Sequence, residues 1–276
     1  MRRAAFLLVL TASCGSYSPL DSHYNRGVEF YDDGKLAEAI REYRLAVEDD
    51  PRNYRARFNL AVCFHDQGKK DSASAEYVEV LKLQPTNARA LVCLASLRAE
   101  DGKEAEARAL LDQAAAADPH SGFPRSSLGA HFERKGEWDR AMEAYRAAVA
   151  IEPGHAAGHA GIARLLSRRG AFQEAIGEYD QALAADGSDV ATLLASSDAR
   201  EKAGDLKGAL LHLERALTHV KNRAPLWIRL AGYYEAQGRL EDAVGALWEA
   251  RALQPAEAGI APRLKALYEK LAAKER

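Results

Sequence analysis

Seven glycines recur at a spacing of 34 residues: Gly34, Gly68, Gly102, Gly136, Gly170, Gly204 and Gly238. Five residues after each stands an alanine: Ala39, Ala73, Ala107, Ala141, Ala175, Ala209 and Ala243. A third column holds Pro51, Pro85, Pro119, Pro153 and Pro255, with Gly187 and Lys221 in its two remaining places. No insertion breaks the register from Leu20 to Glu257. A period of this length marks a supersecondary unit that cannot bury its apolar face alone and stacks on its neighbours. Such a chain offers extended surfaces rather than one central pocket.

The unit at 122–155 shows what repeats. Residues 123–135 place Leu128, Gly129 and Phe132 on one helical face, and Gly136 stops that helix. Trp138, Ala141, Ala144, Tyr145 and Ala148 follow at spacings of three and four, which predicts a second amphipathic helix closed by Pro153. Small residues fill Gly27, Ala61, Ala95, Gly129, Ala163, Ser197 and Ala231, so the first helix is thin where the second approaches. Opposite stand large ones: Tyr43, Tyr77, Leu111, Tyr145, Tyr179, Leu213 and Leu247. Alternation of this kind lets helices interlock at high density.

These columns resemble the tetratricopeptide repeat, whose pattern combines a small residue, an aromatic, two alanines and a proline over the same period. The resemblance implies an all-α fold: a right-handed α-solenoid of seven helix–turn–helix repeats at 20–53, 54–87, 88–121, 122–155, 156–189, 190–223 and 224–257. Residues 258–276 read as a capping helix, with Leu264, Leu267, Tyr268 and Leu271 on one face. Departures from the family pattern include Arg98 and Arg200 where it has an aromatic, and Trp227 as the single family tryptophan. Lys221 in place of proline predicts a longer second helix in the sixth repeat, running toward Pro225.

The N-terminus differs in character. Arg2 and Arg3 precede Ala-Ala-Phe-Leu-Leu-Val-Leu and then Thr11-Ala12-Ser13-Cys14, the layout of a secretory signal over residues 1–13. The apolar run is about half of the roughly 20 residues that span a bilayer. Thr11 to Cys14 resembles the lipobox of bacterial lipoproteins, with Thr11 where that family has Leu or Val. The resemblance implies acylation of Cys14, palmitate included, a tether at 14–19, and, with Gly15 following the cysteine, an outer-membrane lipoprotein facing the periplasm. An ordinary cleaved signal with an incidental Cys14 is the alternative. Cys63 and Cys93 lie among helical apolar residues, read as buried free thiols, with a disulfide as the other outcome.

The formal charge is −2, or −4 once Arg2 and Arg3 are removed, and no concentrated basic face is present, which argues against nucleic acid. By family geometry, the first helices line a concave groove. The residues expected there are Tyr24, Val28, Tyr31, Arg55, Phe58, Val62, His65, Arg89, Phe123, Arg134, Arg164 and Arg168. Aromatics with arginines suit a partner protein's helix or extended peptide. The carboxylate clamp of chaperone-binding relatives is matched only by Asn59 and Arg89, since Tyr24, Val28 and Cys93 occupy its other places. His155 and His159 have a metal-like spacing but no third ligand, and read as surface histidines. No phosphate loop, catalytic constellation, metal site or cofactor is expected. The chain therefore reads as a non-enzymatic adaptor of an envelope complex, similar in plan to the lipoprotein pilotins of type IV pili. The alternatives are a periplasmic carrier of glycan or peptidoglycan fragments, an enzyme-associated repeat protein, and a soluble co-chaperone-like adaptor. Cells fed an alkyne fatty acid are expected to label the wild-type chain and not Cys14→Ala; label retained in the variant would reject the anchor.

Overall fold

The computed structural model describes residues 21–274; the signal sequence, the tether and Cys14 lie outside the described residues. Fifteen helices and no strand are present among the described residues. The first helices of seven hairpins are α1 (Asp21–Asp32), α3 (Tyr54–Asp66), α5 (Ala88–Glu100), α7 (Gly122–Arg134), α9 (Ala156–Arg168), α11 (Val190–Lys202) and α13 (Ala224–Ala236). Their partners are α2 (Leu36–Asp49), α4 (Lys70–Leu83), α6 (Glu104–Ala117), α8 (Trp138–Ile151), α10 (Phe172–Ala185), α12 (Leu206–His219) and α14 (Leu240–Leu253), and α15 (Ile260–Lys274) follows. Contacts divide the helices into two compact units, α1–α8 ending at Glu152 and α9–α15 beginning at Pro153. Both are built by the same rules.

Within each hairpin the second helix lies on the small-residue side of the first. All seven alanines of the Ala39 column are fully buried, and the large residues opposite, from Tyr43 to Leu247, are nearly so. A Cβ placed on Gly27 would stand 2.6 Å from the Tyr43 ring, and one on Gly129 would stand 2.7 Å from Tyr145. Glycine is required at both because a tyrosine ring occupies the space of a side chain. Each buried tyrosine withdraws about 150–250 Å² from water, which at about 25 cal/mol per Å² is an upper bound of about 4–6 kcal/mol.

The turn glycines have a conformational reason. All seven have positive φ, from 71° to 83°, and no other described residue does. At the first turn the Gly34 amide donates to the Tyr31 carbonyl (2.9 Å) and the Lys35 amide to Phe30 (2.8 Å). Both bonds recur at every hairpin, so each first helix ends in a Schellman turn whose left-handed residue must be glycine. Helix starts are capped locally: the Asn53 and Asn87 side chains accept from the Ala56 and Ala90 amides, each at 3.0 Å.

One expectation is corrected. Helix α12 does not run on toward Pro225; it stops at His219, in register with the other second helices. Side chains hold the two turns that lack proline. Trp227 Nε1 donates to the Lys221 carbonyl (2.8 Å) and Arg215 to the Gly187 carbonyl (2.9 Å).

Two glycine substitutions should have opposite signs. Gly129→Ala drives a methyl into a buried ring and is expected to cost about 1–3 kcal/mol. Gly177→Ala, on α10 with nothing within 4 Å of the added carbon, should stabilise by about 1 kcal/mol through helix propensity. Urea titrations of the two variants read both values.

Candidate partner-binding face

In the unit from Asp21 to Glu152, the first helices pack their small-residue side against the second helices. Of the residues expected in the groove, Arg55 and Arg134 are exposed, while Tyr24, Val28, Val62, His65, Arg89 and Phe123 are partly buried. Two belong instead to the core. Phe58 is 1% exposed and meets Tyr77 of α4 edge-on, with centroids 5.6 Å apart. Tyr31 is 7% exposed, and its hydroxyl donates to Asp66 across the joint between repeats at 2.7 Å. Both rings are needed to fill space between helices, so neither is available to a ligand. Arg164 and Arg168 are exposed on α9, in the other unit.

What remains open on α1, α3 and α5 has a fixed frame. Tyr24 lies 6.0 Å from Tyr43, ring to ring. Buried Asn59 donates to the hydroxyls of Tyr43 (3.3 Å) and Tyr24 (3.5 Å). That commitment takes Asn59 away from a carboxylate clamp. Val28 and Val62 add aliphatic surface, and the Arg55 guanidinium stands 5.9 Å over the Tyr54 ring. At the far end of α5, Lys70 bonds Glu100 at 2.8 Å and so holds its carboxyl below the usual range; His65 lies 3.9 Å from the same carboxylate. The face thus presents rings, aliphatic groups and cations, the residue types in which protein interface energy concentrates.

Two thiols lie on the same helices. Cys63 and Cys93 are free thiols. Burial pushes the Cys63 thiol up to about 12, with Asp66 adding to the shift, and burial also raises Cys93. Thiols held neutral in this way are poor nucleophiles. Among the described residues no three His, Cys, Asp or Glu groups are placed to hold a metal.

His159 is not the surface residue its sequence context implies. It is buried, with Nδ1 2.6 Å from Glu178 and Nε2 2.8 Å from the Pro153 carbonyl. The same hairpin position joins His23 to Glu42 (2.8 Å) and Arg57 to Glu76 (3.0 Å). Sequence reasoning missed these couples. Their signal is a basic residue with glutamate 19 positions later, in the place where Leu91, Leu193 and Trp227 stand in other repeats.

Family models of the tetratricopeptide repeat match residues 24–77, 66–122 and 134–196, together more than half of the chain. No curated protein matches the sequence. Among solved structures, the APC/C hetero-tetramer Cut9–Hcn1 is similar with a TM-score of 0.65 at 18% identity, over 87% of this chain and 48% of that one. This chain therefore spans about half of that protein's length. Pseudomonas aeruginosa PilF gives 0.59 at 21% identity, over 80% of this chain and 97% of its own. PilW, described as a widely conserved type IV pilus biogenesis factor, gives 0.60 at 18%, over 78% and 98%. At these identities the likeness is one of fold.

Two buried imidazoles make stability depend on pH. Burial lowers His131, with Arg134, Lys135 and Arg108 in the same direction and Glu104 opposing. Burial also lowers His212, which lies 2.9 Å from the Ser196 hydroxyl; Arg200 and Arg215 add to the shift, and Asp180 and Asp205 oppose it. Each folded-state value lies below the unfolded one, so the unfolded chain binds more protons as the medium acidifies. The stabilisation is complete above about pH 6.5, the ordinary histidine value, and is lost as pH falls through the depressed folded values. Melting temperature should drop from about pH 7.5 to about 5, with a shallower drop in His212→Gln.

Proposed function

Because the chain belongs to the tetratricopeptide repeat family, we propose that it is a non-catalytic scaffold holding a segment of a partner protein on the open face of α1, α3 and α5. One observation carries this reading. Tyr24, Val28 and Val62 pack on the core behind them yet are only partly buried, on helices α1 and α3, and α3 and α5 add the exposed Arg55 and the partly buried Arg89. The bound segment gains apolar burial against rings and valines that are already ordered, so little conformational entropy is lost on the scaffold side. The arginines supply direction by pairing with carboxylates or peptide carbonyls.

The reading extends to place and pathway. Acylated Cys14 would hold the array at the outer membrane with the face toward the periplasm; more than one acyl chain is needed for a lasting anchor. No described helix is long and apolar enough to cross a membrane. The likeness in fold to PilF and to PilW, the latter described as a type IV pilus biogenesis factor, supports assembly of an envelope complex such as a pilus as the process served.

The test is capture of envelope proteins by the wild-type chain and by Val62→Asp and Arg55→Glu, with helicity checked by circular dichroism. Each variant should reduce retention of the specific partner at least about tenfold, the scale of an interface hot spot. Unchanged retention in both folded variants would discard this face.

A further inference from the structure

The sixth hairpin, α11 with α12, is built unlike the others. Tyrosines apart, nine polar or charged side chains are buried among the described residues, and four of them belong to it: Thr192, Ser196, Ser197 and His212. Ser196 occupies the place that Leu60, Leu94, Leu128, Ile162, Leu230 and Leu264 hold in other first helices. His212 stands where α8 and α14 have Ala144 and Ala246. The two replacements meet, His212 Nδ1 lying 2.9 Å from the Ser196 hydroxyl. Beside them the Ser197 hydroxyl donates to the Ala209 carbonyl at 2.8 Å. Arg200, bound to Asp180 and Asp205, takes the position of Phe64, Phe132 and Tyr234.

These bonds hold the hairpin shut less firmly than apolar packing would. When α11 and α12 part, water replaces each hydrogen bond, whereas nothing offsets the exposure of a leucine. The chain is also least constrained at both ends of this hairpin. Five of the seven turns that follow the second helices carry proline; the two that do not, at Gly187 and Lys221, are the ones that bracket α11 and α12. Without proline the opened chain keeps more freedom at each end. Gly208 adds a residue of poor helix propensity to the first turn of α12. On the far side, α13, α14 and α15 share buried Leu230, Leu247, Ile260, Leu264 and Leu267, a core that remains when α12 leaves it.

We propose that α11–α12 is a hinge, which opens as a unit while the hairpins on either side stay folded and opens further in acid. His212 supplies the dependence on acid. In the closed hairpin it is 6% exposed. Burial keeps its ring neutral there, with Arg200 and Arg215 acting in the same direction; Asp180 and Asp205 oppose them, but both are bound to Arg200. In the open hairpin the ring titrates near its ordinary value of about 6.5. Opening therefore takes up a proton below that pH, and the closed form is favoured above it.

Hydrogen–deuterium exchange of the full-length chain carrying Cys14→Ser, followed by mass spectrometry, tests this. At neutral pH the amides of α11 and α12 should share one opening, populated at least about tenfold more than those of α9–α10 and α13–α14, the factor that one buried leucine represents. From about pH 7.5 to about 5.5 that opening should grow about a further tenfold, after correction for intrinsic exchange, as one histidine is protonated. Ser196→Leu with His212→Ala, the pair found as Leu230 and Ala246 in the seventh hairpin, should close the gap and abolish the pH step. His212→Gln keeps a polar partner for Ser196, so it should leave the gap and abolish only the step. Protection of α11–α12 equal to that of its neighbours, or exchange only together with α13–α15, would overturn the hinge. A pH step that survives in His212→Gln would overturn its release by acid.

Discussion

The close approach of two helices at a strip without side chains is the contact on which the rest depends. Where Gly27 faces Tyr43 and Gly129 faces Tyr145, the ring lies against backbone, closer than any β-carbon would permit. Alanine, or serine at Ser197, keeps the strip narrow at the other members of the column. Because the tyrosine or leucine opposite is nearly inaccessible to solvent, the helix pair has one depth of packing available. The left-handed glycine then sets the angle at which the chain re-enters, and the Schellman bonds satisfy the carbonyls freed there. Depth and angle repeated every 34 residues set the geometry of each hairpin in the stack.

Much of this was visible in the residue order. The glycine and alanine columns, and the small–large alternation, specify helix ends and the buried sides because each is a steric demand met by few residue types. The proline column proved less informative. Helix α12 stops in register beside Lys221, and the turns at Gly187 and Lys221 are held by Arg215 and Trp227 from outside the turn. Proline favours an ending that tertiary contacts also enforce.

The candidate face was only partly legible. Family geometry assigns positions to a side of the helix, yet whether a ring there reaches solvent depends on its neighbours' volumes. Phe58 and Tyr31 are drawn inward because Tyr77 and Asp66 offer an edge and an acceptor at the next helix. Tyr24, close to them on the same surface, stays partly open because Tyr43 and Asn59 already fill the interior behind it. Volume and hydrogen-bond supply in three dimensions made these differences, and a one-dimensional period does not encode them.

The columns that vary between repeats explain how near-identical bricks keep their order. Seams made only of alanine and tyrosine would fit any neighbour. The polar couples do not. Arg200 is held by two carboxylates, Asp180 from the preceding hairpin and Asp205 from its own, and burial that opposes its charge is outweighed by them, so its pKa is raised. If Arg44 or Trp248 came to that joint instead, the guanidinium would meet a like charge or lose a partner. A partly buried, unpaired cation is costly. Each such joint therefore accepts its own neighbour and penalises a shifted one. Constant columns fix how far apart the helices lie, and variable columns fix which helix lies next to which. A surface assembled from several hairpins, such as the Tyr24–Val62 face, needs both.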